Sequence, residues 1–333
     1  MKQLRFIFIN LMVVVLFATS CKKDDETTVA INEAEVVAKY LESADSPAKK
    51  DFVNTDMPTI IAATDVKTIN ETNQAYIIDI RSAADYALGH IKNAKNVAVE
   101  DVLTHVKAAD LTPYSKLVVV CYTGQTASYV TTLLRLMGYD KAVSLKWGMC
   151  SWHADFASKW NTTIAAGNAY AAQFTATVTD KAAKGNLPTL ATGKTTGQDI
   201  LETRVAALLK EGFTPASVTN ATVFGNLSGY YIVNYWPAAQ YADPGHIPGA
   251  VQYTPKETMK FDVDLKTLPT DKPIAVYCYT GQTSAALVAY LRLLGYDAKT
   301  ILYGTNGMIY DKMKEKAMTI FSATEIKGYD FVK

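Results

Sequence analysis

One six-residue segment occurs twice in this chain. Cys121-Tyr122-Thr123-Gly124-Gln125-Thr126 returns 157 positions later as Cys278-Tyr279-Thr280-Gly281-Gln282-Thr283. The echo extends both ways. Gly89-His90-Ile91 is matched by Gly245-His246-Ile247, and Leu134-Arg135-Leu136-Met137-Gly138-Tyr139-Asp140 by Leu291-Arg292-Leu293-Leu294-Gly295-Tyr296-Asp297. Solenoid repeats have periods of roughly 20–50 residues, so a period this long means a duplicated domain. The length of 333 residues suits two domains of roughly 100–200 residues behind a short leader. The boundary falls between Trp160 and Thr214, where Gly167, Gly185, Pro188, Gly193 and Gly197 punctuate the chain. We assign residues 31–165 to copy one and 166–333 to copy two.

Each copy reads as an α/β unit. Tyr76 to Ile80 is a short apolar strand, and Leu117 to Val120 is a continuous apolar run, as in a strand buried on both faces. Cys121 follows that strand directly. From Gln125 to Met137, the apolar residues Val130, Leu133, Leu134 and Met137 recur at helical spacing until Gly138 stops the helix. Ala142 to Leu145 is the next strand. Copy two repeats the order with Ile274 to Tyr277, Thr283 to Leu294, and Thr300 to Leu302. Strand, loop, helix and strand with short connections predict a central parallel sheet flanked by helices in each copy.

The cysteines sit where such a sheet collects ligands, outside the carboxyl ends of its strands. A short loop entering a helix points several N–H groups at one spot, and the helix N-terminus adds partial positive charge. Gly124 and Gly281 permit the tight turn this requires. That environment is expected to stabilise a thiolate and any anion bonded to its sulfur. A lone cysteine in such a place is ordinarily a small packed hydrophobe. The same loop appearing twice, after a strand and before a helix, points instead to chemistry.

Asp79-Ile80-Arg81, Tyr86, Gly89-His90-Ile91, Ala94 and then the Cys121 loop occur in one order. Each copy resembles a rhodanese (sulfurtransferase) domain, over roughly residues 55–160 and 215–320. The resemblance implies that Cys121 and Cys278 each take a sulfane sulfur as a persulfide and pass it to a thiophilic acceptor. The donor would be thiosulfate, a polysulfide or a persulfide, the acceptor a thiol or cyanide, and no cofactor or metal would be required. Many family members carry arginine where Thr126 and Thr283 stand, so an anionic donor would be held here mainly by backbone N–H groups. Copy two has Asn234-Tyr235-Trp236 in place of Asp79-Ile80-Arg81, which makes it the expected weaker catalyst. Asp79 and Arg81 are expected as a structural ion pair, and His90 and His246 as hydrogen-bonding residues that fix their loops. Trp147, Trp152 and Trp160 are expected as packing and pocket wall.

Of four cysteines, Cys121, Cys150 and Cys278 lie beyond the leader, an odd number for an oxidising compartment. Cys150 is expected near Cys121, either packed or acting as a resolving thiol, with Ile309 at its equivalent place in copy two. The leader itself reads as an export signal. Lys2 and Arg5 precede an apolar run from Phe6 to Phe17, followed by Ala18, Thr19, Ser20 and Cys21. The run is too short for a bilayer span. Residues 1–20 resemble a lipoprotein signal peptide, with Ala18 where the usual leucine stands and Cys21 as the lipidated residue. Lys22 to Glu26 lie in a charged tether over 21–30. The expectation is therefore a lipid-anchored protein of the cell envelope, attached to the outer membrane.

Other classes fit poorly. A formal net charge of +1 gives no general attraction for nucleic acid. Cysteine phosphatases need an arginine after five intervening residues, where this chain has Ala127 and Ser284. The remaining alternative is a non-catalytic module that binds or senses sulfur compounds.

Overall fold

A computed structural model describes residues 31–333. The leader, Cys21 and the tether lie outside the described residues. Each copy is built on a five-stranded, all-parallel sheet. In copy one the strands are β1 (Ile60–Ile61), β2 (Ala75–Asp79), β3 (Lys95–Asn96), β4 (Lys116–Val120) and β5 (Ala142–Leu145), ordered β1-β5-β4-β2-β3. In copy two they are β6 (Ser217–Val218), β7 (Tyr231–Tyr235), β8 (Val251–Tyr253), β9 (Ile274–Tyr277) and β10 (Ala298–Ile301), ordered β6-β10-β9-β7-β8. The duplication read from the sequence is thus a duplication of topology. The two-residue edge strands β1, β3 and β6 carry too little pattern to be read from sequence.

The central strands β4 and β9 are buried on both faces, as their unbroken apolar runs demand. Each delivers its cysteine at the carboxyl end of the sheet. The helix after each cysteine, α1 (Gln125–Leu136) in copy one and α2 (Gln282–Leu293) in copy two, is buried almost all round. One face of each covers its own sheet, and α1 and α2 pack against each other. A single apolar core therefore runs through both copies, joining Val119, Tyr129, Leu133 and Leu134 to Val276, Leu287, Tyr290 and Leu291. Residues 32–333 accordingly form one compact unit.

Two arms, each following the last helix of one half, run onto the two Gly-His loops. Downstream of copy one's last helix, Thr175 forms an antiparallel bridge with His246 of copy two. Downstream of copy two's last helix, Val332 forms the same bridge with His90 of copy one. Lys327 and Tyr329 donate their N–H groups to the carbonyls of Ser151 and Trp152, which ties the C-terminal arm along copy one. The chain from 166 onward thus contributes structure to both halves. No described helix is long and apolar enough to cross a membrane.

Candidate active site

The cysteine loops close as tight nests. Gly124 is left-handed at φ 87° and Gly281 at φ 77°, so each supports a turn that a side chain would strain. Cys121 Sγ accepts the N–H groups of Gly124 at 3.1 Å and Ala127 at 3.3 Å. The N-cap of α1 is Gly124, which has no side chain to cap with, and the sulfur instead takes up the Ala127 N–H that the first turn leaves free. Cys278 Sγ accepts the N–H of Ser284 at 3.3 Å and faces Ser284 Oγ at 3.5 Å. Copy one has Ala127 in place of Ser284 and so lacks that hydroxyl.

Both thiols are nearly sealed, Cys121 at 5% and Cys278 at 2% exposed. Burial pushes the Cys121 thiol up, against the N–H groups of Ala127, Thr123 and Gly124, and the Asp79 carboxylate adds to the rise. The sequence led us to expect a stabilised thiolate. In the closed loop desolvation is the larger effect and opposes the N–H groups.

Asp79 and Arg81 form the expected ion pair, with their side chains 0% and 2% exposed. Arg81 Nε and one terminal nitrogen grip the carboxylate, and the same terminal nitrogen donates to Gly89 O at 2.7 Å. The other terminal nitrogen is buried without a partner. The guanidinium carbon lies 5.3 Å from the Tyr122 ring centre. In copy two, Asn234 Nδ2 donates to Tyr277 Oη at 2.8 Å, and Trp236 packs on Tyr277 and Tyr279. Both charges are absent together, so neither is stranded in the interior.

His90 and His246 do not touch the thiols. His90 Nδ1 donates to Tyr86 O at 3.1 Å, and the two rings stack. His246 repeats this against Tyr241, and its Nε2 faces Thr177 O at 2.9 Å. They fix the loops on which the two arms land. At the front of each site, Tyr122 Oη donates to Asp85 at 3.2 Å, and Tyr279 Oη donates to Gln240. Lys159 places its ammonium 4.2 Å from the Tyr122 ring centre. Sequence reasoning missed Lys159, because nothing local connects a lysine on a later helix with this loop.

Trp147, Trp152 and Trp160 are buried, and Trp160 Nε1 donates to Thr123 O at 3.2 Å. Cys150 lies behind the Cys121 loop, with its N–H bonded to Tyr122 O at 3.1 Å. Its thiol is free, donates to Phe156 O at 3.0 Å, and is pushed up to about 12 by burial. The expected equivalence of Cys150 with Ile309 needs correction. The residue that repeats its bond is Asn306, whose N–H donates to Tyr279 O at 3.1 Å. The spacing between copies shortens by one residue after the helices, where Trp147 and Gly148 superpose in role on Tyr303 and Gly304.

Gln125 and Gln282, counted from sequence as loop residues, send their side chains across the interface between copies. Gln125 Oε1 accepts the N–H of Tyr303 at 2.7 Å, and Gln282 Oε1 accepts the N–H of Trp147 at 3.0 Å. A Cβ on Gly124 would stand 2.4 Å from Gln282 Nε2, and one on Gly281 2.3 Å from Gln125 Oε1. A side chain at either glycine would therefore displace the glutamine that crosses from the other copy. The loop threonines act locally: Thr123 Oγ1 accepts from Gln125 Nε2, and Thr280 Oγ1 from the Gln282 N–H. Thr126 and Thr283 form no side-chain hydrogen bond among the described residues.

The family model of the Rhodanese-like domain matches residues 62–155 and 227–308. The thiosulfate sulfurtransferase GlpE of Pseudomonas paraeruginosa is 32% identical over 90 residues, covering 27% of this chain and 80% of that protein. GlpE of Shewanella oneidensis is 33% identical over 85 residues, covering 26% of this chain and 82% of its own length. Among solved structures, the 3-mercaptopyruvate sulfotransferase SseA from Escherichia coli aligns over 76% of this chain and 99% of that one, at 17% identity and a TM-score of 0.27.

Proposed function

The chain belongs to the rhodanese-like family as a tandem of two such domains, and from that premise we propose that it is a sulfurtransferase carrying sulfane sulfur on Cys121 and Cys278. The observation that carries this reading is the Cys121 sulfur accepting two N–H groups at the start of α1, in a loop that occurs twice. The thiolate attacks the outer sulfur of a donor such as thiosulfate, a polysulfide or a persulfide. The donor's bond to that sulfur breaks, and the leaving group departs with the electron pair. The N–H cradle then holds the negative end of the cysteine persulfide. A thiol or cyanide attacks that end, and the cysteine leaves as thiolate. The sulfur is itself the carried group, so no cofactor enters the cycle.

The test is intact-mass measurement of the purified protein after exposure to each class of donor. One added sulfur per reactive cysteine, removed by cyanide or a thiol over repeated cycles, is the expected result. The sealed thiols favour one second reading, a module that binds sulfur compounds without turning them over. A protein that stays unmodified with every sulfane donor supports that reading and ends the first.

We place the protein in the cell envelope, held to the outer membrane by lipid on Cys21. The support is the order of basic, apolar and small residues before Cys21. Metabolic labelling with an alkyne fatty acid should tag a mature chain that begins at Cys21. An untagged chain that retains Met1 to Ser20 overturns the assignment.

A further inference from the structure

The crossed glutamines do more than join the copies. Trp147 and Tyr303 both sit at φ 63°, a left-handed conformation that bulky residues rarely adopt. Each is held there by the other copy, through Gln282 on the Trp147 N–H and Gln125 on the Tyr303 N–H. Both glutamines are buried, at 2% and 1% exposed, so these bonds are shielded from competing water.

The held turns lie directly behind the cysteines. Met149 donates to Cys121 O at 2.9 Å and Cys150 to Tyr122 O at 3.1 Å. In copy two, Thr305 donates to Cys278 O at 3.0 Å and Asn306 to Tyr279 O at 3.1 Å. A peptide unit is planar and trans, so pinning a carbonyl on one side aims the next N–H to the other side. Pinning Cys121 O and Tyr122 O thereby fixes the peptides that lead into the nest, whose Gly124 N–H bonds the Cys121 sulfur at 3.1 Å.

We infer that Gln282 is a positioning residue for Cys121 and Gln125 for Cys278, so each reactive loop is set by the other copy and the tandem is the working unit. The path in copy one runs from Gln282 to the Trp147 N–H, through the turn to Cys121 O and Tyr122 O, and along the loop to the Gly124 N–H at the sulfur. This rests on reading the two cysteines as sulfur carriers, but its test does not require sulfur transfer.

The test uses the full chain with Gln282→Met and, separately, Gln125→Met. Methionine keeps the length of the side chain and removes the acceptor. Iodoacetamide alkylation is followed at each cysteine by peptide mass spectrometry across a range of pH. With Gln282→Met, the pH midpoint for Cys121 should rise, and its rate at neutral pH should fall about fivefold, the size of one lost neutral hydrogen bond. Cys278 should change less than about twofold, the low end for one such bond. Gln125→Met should give the mirror image. General loosening of the interface would move both cysteines alike, and a purely local role would move the cysteine of the mutated loop. Either of those patterns overturns the inference. If Gln282→Met does not fold, Gln125→Met decides alone: a shift at Cys278 with Cys121 unmoved supports it, and the reverse rejects it. Loss of the crossed pattern leaves the transferase reading to the persulfide measurement.

Discussion

Cys121→Ser is expected to lose most of the sulfur transfer, Cys278→Ser a smaller part, and the double variant all of it. A serine hydroxyl neither ionises near neutral pH nor attacks sulfane sulfur, while it fits the same space and accepts the same N–H groups. The fold should therefore survive, and the loss should appear in turnover alone. Removing a nucleophile outright costs many powers of ten in serine hydrolases, so the double variant should fall at least about a thousandfold. The asymmetry between copies has a structural basis. Copy one keeps the buried Asp79–Arg81 pair upstream of its cysteine where copy two has Asn234 and Trp236, and the Cys121 sulfur accepts two N–H groups where Cys278 accepts one. Steady-state transfer to cyanide, from thiosulfate and from polysulfide, measures all three variants. Full activity in the double variant would reject the cysteine mechanism. Greater loss in Cys278→Ser than in Cys121→Ser would reverse the ranking of the copies.

Asp79→Ala is expected to destabilise the protein by about 3–5 kcal/mol, the usual result of stranding one member of a buried ion pair. Arg81 would keep its bond to Gly89 O and lose every bond to a carboxylate, with its side chain only 2% exposed. The intact pair is not by itself a source of large stability, because both charges were desolvated to form it. Copy two displays the alternative, with Asn234 and Trp236 at the same places and a neutral hydrogen bond to Tyr277. The double substitution Asp79→Asn with Arg81→Trp removes both charges together and should recover part of what Asp79→Ala loses, the rest being withheld because Val120 stands where copy two has the Tyr277 hydroxyl. Denaturant midpoints for the three proteins check this. Equal midpoints for wild type and Asp79→Ala would show that the arginine finds water or another partner. A double variant no better than Asp79→Ala would show that Tyr122 and Phe156, which lie beside the guanidinium, cannot accommodate the indole.

The residues by themselves determined the duplication, the parallel α/β class and the location of both cysteines. Those features are local. An apolar run such as Val118-Val119-Val120 declares a buried strand, a glycine in the next loop declares a turn, and helical spacing from Val130 to Leu134 declares a helix. The Asp79–Arg81 pair was also legible, being two residues apart at the end of a strand. Periodicity, however, says that a residue is buried and not against what. Hence α1 was readable as a helix, while its second buried face, packed on α2, was not. The glutamines looked like ordinary loop residues because their acceptors serve N–H groups far away in sequence, Gln125 to Tyr303 and Gln282 to Trp147. The landing of the two arms on His90 and His246 is equally non-local. The misassignment of Ile309 has the same origin. Beyond the helices only Gly148 and Gly304 mark the shared turn, and the hydrogen bonds to Tyr122 and Tyr279 settle which residues correspond. Desolvation was the remaining quantity that three dimensions decided. A loop sequence shows the donors that favour a thiolate, but the burial that opposes them depends on what the rest of the chain places over the sulfur.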